Sequence, residues 1–213
     1  MMKQFLAVLT LLVLLTGFGC DISQSNEGYT NVEINNKLGH YSLEYPAIYQ
    51  KEIRDDLRFR VPYTYLVFEY PIQTVTAEIF DPETGEIRTI SGMTGVAEIS
   101  ITISNYKLEF GDSYTASVKL DSILQGASKW DNYILLERSS TLVSGLEGET
   151  VKYLQDRLMP IPVEDGKNID YHRIIIFDYK DLTWAITAEC NLEMREQVDN
   201  DLEHILSTFE LLN

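Results

Sequence analysis

Cysteine, basic residues and long apolar runs are all scarce in this chain of 213 residues. The two cysteines, Cys20 and Cys190, allow at most one disulfide bond. Lysine and arginine number 17 against 33 aspartates and glutamates, which gives a net charge of −16. A chain with this charge repels nucleic-acid phosphates and anionic lipid headgroups. We therefore expect no nucleic-acid partner and no membrane contact through a basic face, and the charge leaves a cationic partner open.

The sequence also lacks the local signatures of common catalytic and metal sites. It has no G-x-S-x-G elbow. None of its three histidines, His40, His172 and His204, has a second His or Cys at metal-ligand spacing. The acidic stretch VEDGKNID (163–170) does not follow the order of a calcium-binding loop. We therefore predict no catalytic residues, no metal site and no cofactor, and interpret the histidines as structural or surface residues.

The longest apolar run lies near the N-terminus and is short for a membrane span. Residues 5–15, FLAVLTLLVLL, form that run, whereas a span takes about twenty residues. With Lys3 before it and small residues after it, the run has the length of a signal-peptide core. Cys20 stands where this run gives way to the polar residues DISQSNEGYTN. The pattern predicts export of everything that follows.

This layout resembles a bacterial lipoprotein signal, in which a small residue precedes a cysteine that receives a diacylglyceryl group. Gly19 and Cys20 match that step. The resemblance implies cleavage after residue 19, lipid attachment at Cys20, and a domain on the extracytoplasmic side of the cell membrane. Asp21 resembles the signal that keeps some lipoproteins at the inner membrane of two-membrane bacteria. An ordinary cleaved signal and an uncleaved N-terminal anchor stay open as alternatives.

Composition divides the chain into three segments. Residues 1–19 are predicted to be the signal peptide, residues 20–37 a lipid-anchored flexible tether, and residues 38–213 one globular domain. Cys190 closes the apolar run LTWAITAEC, so we expect it to be a small buried hydrophobic residue rather than the partner of Cys20.

Within the domain, the period of the apolar residues changes from two to 3.6 and back. Helices are predicted at 113–130, with Ser113 or Thr115 as its cap, and at 191–207, with Asn191 as its cap. Strands are predicted at 40–46, 64–70, 74–80, 86–90, 95–104, 132–143, 148–157, 171–180 and 182–190. This order lacks the βαβ alternation of a parallel sheet, so it predicts an α+β domain with a mainly antiparallel sheet packed between helices.

This element order resembles that of the PsbP-like superfamily. Gly145 and Gly148 fall near its small-residue position, and Ser207 and Phe209 match its terminal Ser-Phe step. The resemblance implies an α/β/α sandwich over about residues 38–212, with no shared catalytic apparatus. The stretches that carry it are YSLEYPAIYQ, LVSGLEGETVKYL, RIIIFDYKDLTWAITAEC and HILSTFELL.

Two functions from different classes are compatible with these features. The first is a membrane-anchored exported lipoprotein that serves as a non-enzymatic binding or assembly module of the cell envelope. Its partners would be the membrane, through the lipid on Cys20, and an envelope protein or a small apolar ligand. The second is an exported hydrolase in which a serine or carboxylate meets one of the histidines.

Aromatic residues have two interpretations. Trp130 and Trp184 are expected to be core anchors. The tyrosines of the early strands suit core and cross-strand packing, and a ligand groove lined by them is the alternative. These tyrosines are Tyr41, Tyr45, Tyr63, Tyr65 and Tyr70.

Overall fold

A computed structural model describes residues 28–56, 63–71, 73–80, 87–94, 97–130, 132–156 and 169–212. The predicted signal peptide and Cys20 lie outside these residues, as does most of the acidic stretch 163–170. None of the described helices is long and apolar enough to cross a membrane.

The described residues form twelve strands and three α-helices. The helices are α1 (Tyr106–Phe110), α2 (Ala116–Ala127) and α3 (Arg195–Thr208), and a 3-10 turn, Leu192–Met194, leads into α3. The strands are β1 (Tyr29–Asn35), β2 (His40–Pro46), β3 (Gln50–Asp56), β4 (Tyr63–Glu69), β5 (Gln73–Phe80), β6 (Ile87–Thr94), β7 (Ala97–Ser104), β8 (Ile134–Val143), β9 (Leu146–Asp156), β10 (Ile169–Tyr179), β11 (Leu182–Asn191) and β12 (Glu210–Leu211). All nine predicted strands and both predicted helices are present.

The strands form three antiparallel sheets. Seven strands lie in the order β3-β4-β7-β11-β10-β9-β8, three in the order β1-β2-β12, and β5 pairs with β6. Two tight turns fix the register of the β8–β9 and β10–β11 hairpins. Ser144 and Gly145 in the first, and Lys180 and Asp181 in the second, all have positive φ, as type I′ hairpin turns require.

The seven-stranded sheet is covered on both faces. On one face, α3 and the three-stranded sheet enclose the larger apolar cluster, which includes Tyr41, Trp184, Leu202 and Phe209. On the other face, α2 covers β9 and β10 through Ala116, Leu120 and Ala127, with Val151 and Ile176 among the sheet residues. The predicted α+β architecture, with a mainly antiparallel sheet packed between helices, is confirmed.

Order begins earlier in the chain than the composition predicts. The composition predicts a tether up to residue 37, but β1 occupies Tyr29–Asn35 and pairs with β2 along its whole length. Val32 and Ile34 of β1 are buried against the core, whereas its other residues are exposed. Two inward side chains, the pairing with β2 and the stacking of Tyr29 on His204 together hold this strand.

Three further expectations need correction or refinement. Trp130 is 48% exposed because α2 ends at Ala127, before the apolar stripe reaches it, so its prediction as a core anchor is wrong. The side chain of Asn191 makes no capping bond, and the 3-10 turn replaces the predicted start of the last helix. Thr115, rather than Ser113, caps α2 by accepting a hydrogen bond from the backbone nitrogen of Val118.

Candidate functional site

The candidate site is a cleft of about 870 Å³ between the N-terminus of α2 and the β8–β9 hairpin. Thr115 to Ser117 form one wall, Ser140 to Leu142 of β8 form the other, and Glu147 to Glu149 of β9 with Ile176 to Asp178 of β10 form the floor. We call it the α2–β8–β9 cleft. Its side chains are chiefly hydroxyls and carboxylates.

Asp178 fixes the end of α2 to the sheet. Its Oδ2 accepts a hydrogen bond from the backbone nitrogen of Ala116 at 2.9 Å, and its Oδ1 accepts one from Oγ1 of Thr183 at 3.0 Å. A carboxylate at a helix N-terminus is favoured because the first N–H groups of the helix have no partner within it. The first turn of α2 is therefore held rigidly beside the cleft.

Glu149 is held in place on the cleft floor. Its Oε2 accepts hydrogen bonds from Nε and Nη2 of Arg138 at 2.9 and 2.7 Å. Nη1 of Arg138 also contacts Oδ1 of Asp121 on α2 at 2.7 Å. A hydrogen bond from Ser117, together with Arg138, lowers the pKa of Glu149. Arg138 thus links β8, β9 and α2 around the cleft, and Glu149 stays ionised at neutral pH.

Gly148 allows β9 to lie close to β10 at the floor of the cleft. A Cβ atom built on it would lie 2.7 Å from the carbonyl oxygen of Ile176. Only glycine therefore fits this close approach of β9 to β10 without a shift of the backbone. Glu147 beside it is exposed, and Leu142 at the rim is 70% exposed.

The three histidines lie elsewhere, each near a carboxylate. Nε2 of His40 is 2.8 Å from Glu33, Nε2 of His204 is 3.2 Å from Glu44, and Nδ1 of His172 is 3.6 Å from Glu189. The cleft lining includes none of the three. The hydrolase hypothesis needs a serine or carboxylate beside a histidine in a cleft. His40 and His204 do contact carboxylates, but they lie outside the cleft described above, and no described imidazole hydrogen-bonds a serine hydroxyl.

The other residues singled out from the sequence are structural. Cys190 is a buried free thiol in the larger cluster, where burial raises its pKa to about 12. Trp184 is buried in the same cluster, as expected. Tyr41 and Tyr45 lie in the core and do not line the cleft. In the parts of the chain that the structure describes, no three His, Cys, Asp or Glu side chains could hold a metal ion together.

Sequence reasoning missed the cleft because its parts come from three separate segments. Ser117, Ser140, Glu149 and Asp178 are unremarkable in sequence, and only the register of β8, β9 and β10 brings them together. Gly148, which the PsbP-like resemblance places near a small-residue position, is the one residue of the cleft that the sequence marks out.

Comparison with known proteins finds solved structures that are similar to this chain in fold. No family model and no curated protein matches the chain. CyanoP, the PsbP of Synechocystis sp. PCC 6803, is 14% identical, with a TM-score of 0.49, over 92% of this chain and 99% of that one. LpqN of Mycobacterium tuberculosis, involved in cell envelope biogenesis, is 13% identical, with a TM-score of 0.43, over 87% and 92%. PA94 of Pseudomonas aeruginosa, of unknown function, is 12% identical, with a TM-score of 0.45, over 81% and 91%.

These similarities concern the fold alone. The predicted antiparallel sheet between helices is present, and the resemblance to the PsbP-like superfamily stays a prediction from the sequence.

Proposed function

We propose that this protein is an exported binding module, lipid-anchored at Cys20, that holds a basic segment of a cell-envelope protein in the α2–β8–β9 cleft. The observation that carries the proposal is the lining of the cleft, where Glu147, Glu149 and Asp178 lie among four hydroxyl side chains. Such a surface offers hydrogen-bond acceptors to ammonium and guanidinium groups.

The ordering of the cleft supports binding more than chemistry. Asp178 and Glu149 each have hydrogen-bond partners that hold them in place before any ligand arrives. A preorganised acceptor surface lowers the entropy cost of binding. Nucleophilic catalysis of the serine–histidine kind would need an imidazole beside a serine, and the described histidines lie outside the cleft.

The proposal is tested by titrating the protein with a short oligolysine peptide. Glu147→Gln removes an exposed cleft carboxylate, and we expect it to weaken binding about threefold, since one exposed ion pair contributes about 0.2–1 kcal/mol. The matched control is Glu196→Gln on α3, which lies on the opposite face of the seven-stranded sheet and removes the same charge.

Isothermal titration at moderate salt measures both variants. Weaker binding by Glu147→Gln alone supports the cleft as the binding site. Equal weakening by both variants would show that the peptide responds to the net charge of the chain and not to the cleft.

A further inference from the structure

The two edges of the seven-stranded sheet differ in how they are protected. An open edge presents unpaired backbone groups, and proteins usually block it with charge, proline or short length. β3 is such an edge, with charges at five of its seven residues, QKEIRDD. β8, the other edge, has two charges and no proline in ten residues, ILLERSSTLV. β8 therefore lacks the protection that β3 has.

β8 also exposes large apolar side chains on both sides of its centre. Leu142 is 70% exposed near its end, and Leu136, the extra residue of a bulge, is 40% exposed near its start. Ile134 and Leu135 are about half exposed as well. Apolar side chains grouped along an open edge are typical of a surface that pairs with another strand.

The charges of β8 are locally neutralised. Glu137 lies 3.1 Å from Nζ of Lys152, and Arg138 binds Glu149 and Asp121. In a chain with a net charge of −16, this edge is a surface that a second copy can approach without meeting a block of like charge.

We propose that β8 pairs antiparallel with β8 of a second copy across a two-fold axis at Ser139, so that two seven-stranded sheets become one. A two-fold interface uses the same patch on both copies, so the strand must be complementary to itself. In a continuous antiparallel sheet, two directly opposed side chains lie on the same face. Because successive side chains alternate between the faces, the two-fold axis must lie level with a residue and not between two residues.

The sequence of β8 selects the register. An axis at Glu137 or Arg138 would set like charges directly opposite each other, which is destabilising. An axis at Ser139 sets Glu137 opposite Thr141 and Arg138 opposite Ser140, and it brings Leu136 level with Leu142 of the second copy. An axis at Ser140 would set Leu142 opposite Arg138. Of the four axes compared, only the one at Ser139 therefore both avoids opposed like charges and places an apolar side chain of one copy opposite an apolar side chain of the other. The pairing extends the β8 wall of the cleft and leaves its floor open.

Disulfide trapping tests the register. Opposed Cα atoms in an antiparallel pair are about 4.5–5.5 Å apart, within the range that a disulfide spans. We expect the full chain with Ser139→Cys, purified in mild detergent and oxidised, to give a dimer on a non-reducing gel. Ser140→Cys is the control, because the two introduced thiols would be offset by two residues along the ladder, with Cα atoms more than about 7 Å apart.

The unsubstituted chain is the second control, since it carries Cys20 and the buried Cys190. A dimer with Ser139→Cys and none with Ser140→Cys or the unsubstituted chain supports the proposal. No dimer with Ser139→Cys, or equal dimer with Ser140→Cys, overturns it.

Co-purification of two differently tagged full-length copies tests the interface without cysteine chemistry. We expect Leu142→Glu to lower recovery of the second copy about tenfold. Leu108→Glu on α1 makes the same change at a residue that is 71% exposed, and we expect it to leave recovery unchanged. Equal recovery with both variants, or no recovery of the unsubstituted copy, contradicts the proposal.

Discussion

At the scale of single residues, His172 shows how burial sets a charge state in this fold. It lies on β10, buried, and stacks on Tyr153 with ring centroids 4.7 Å apart. Burial lowers the pKa of His172 from 6.5 to about 4, although the charge of Asp170 opposes the shift. The imidazole is therefore neutral at pH 7, because a charged ring would lose its hydration at this position.

This shift predicts a dependence of stability on pH. Below pH 6.5 the unfolded chain binds a proton at His172, whereas the folded chain does so only near pH 4. The free energy of unfolding should therefore fall as the pH drops through that window, by up to about 1.4 kcal/mol per pH unit from this group. Urea unfolding at several pH values should show a shallower fall for His172→Gln.

The control for this experiment is His40→Gln. His40 lies at the start of β2, with its side chain 28% exposed. We expect the fall in stability between pH 6.5 and 4 to flatten more in His172→Gln than in this variant, because the His172 side chain is the more buried of the two. Equal flattening in both variants would contradict burial of His172 as the link between stability and pH.

At the scale of elements, α3 is fastened to the sheet by apolar and polar contacts together. Val198, Leu202 and Ile205 are fully buried against the larger cluster. Beside this stripe, Arg173 of β10 contacts Asp199 at 3.3 Å and also contacts Glu203. Burial lowers the pKa of Arg173, but its hydrogen bond to Glu203 and the charges of both carboxylates outweigh that effect, so it stays charged.

Arg173→Ala should therefore loosen α3. The side chain of Arg173 is 8% exposed, and its loss removes charge-assisted hydrogen bonds to Asp199 and Glu203, so we expect a fall of about 1.5–3 kcal/mol in the free energy of unfolding. Arg138→Ala, at a side chain that is 34% exposed, should cost about 0.2–1 kcal/mol. Urea unfolding at pH 7 measures the free energy of unfolding of both variants. Equal losses of stability would contradict a larger contribution from Arg173, which contacts α3, than from Arg138.

The elements differ in how well the sequence predicts them. α2, α3 and the β10–β11 hairpin follow from apolar period and turn residues, because those signals are local. β1 and β3 are mostly polar, and β12 is only two residues long, so their strand pairing carries little local signal. The cleft and the Arg173 contacts depend on strand register, which a pattern along one segment does not contain.

At the scale of the whole molecule, the fold begins close to the proposed anchor. Seven residues, 21–27, separate Cys20 from Gly28, the first residue that the structure describes. At about 3.3–3.6 Å per residue, even a fully extended chain spans less than about 30 Å over this distance. An acylated Cys20 would thus keep the acidic domain close to the headgroups.

The most direct test of this account is the intact mass of the full-length protein extracted from the membrane fraction of its host. We predict a chain that begins at Cys20, lacks residues 1–19 and carries the added mass of a diacylglyceryl group. Cys20→Ala should lack that added mass, whereas Cys190→Ala, at the buried cysteine, should keep it. A wild-type chain with its leader attached and an unmodified Cys20 would contradict the account.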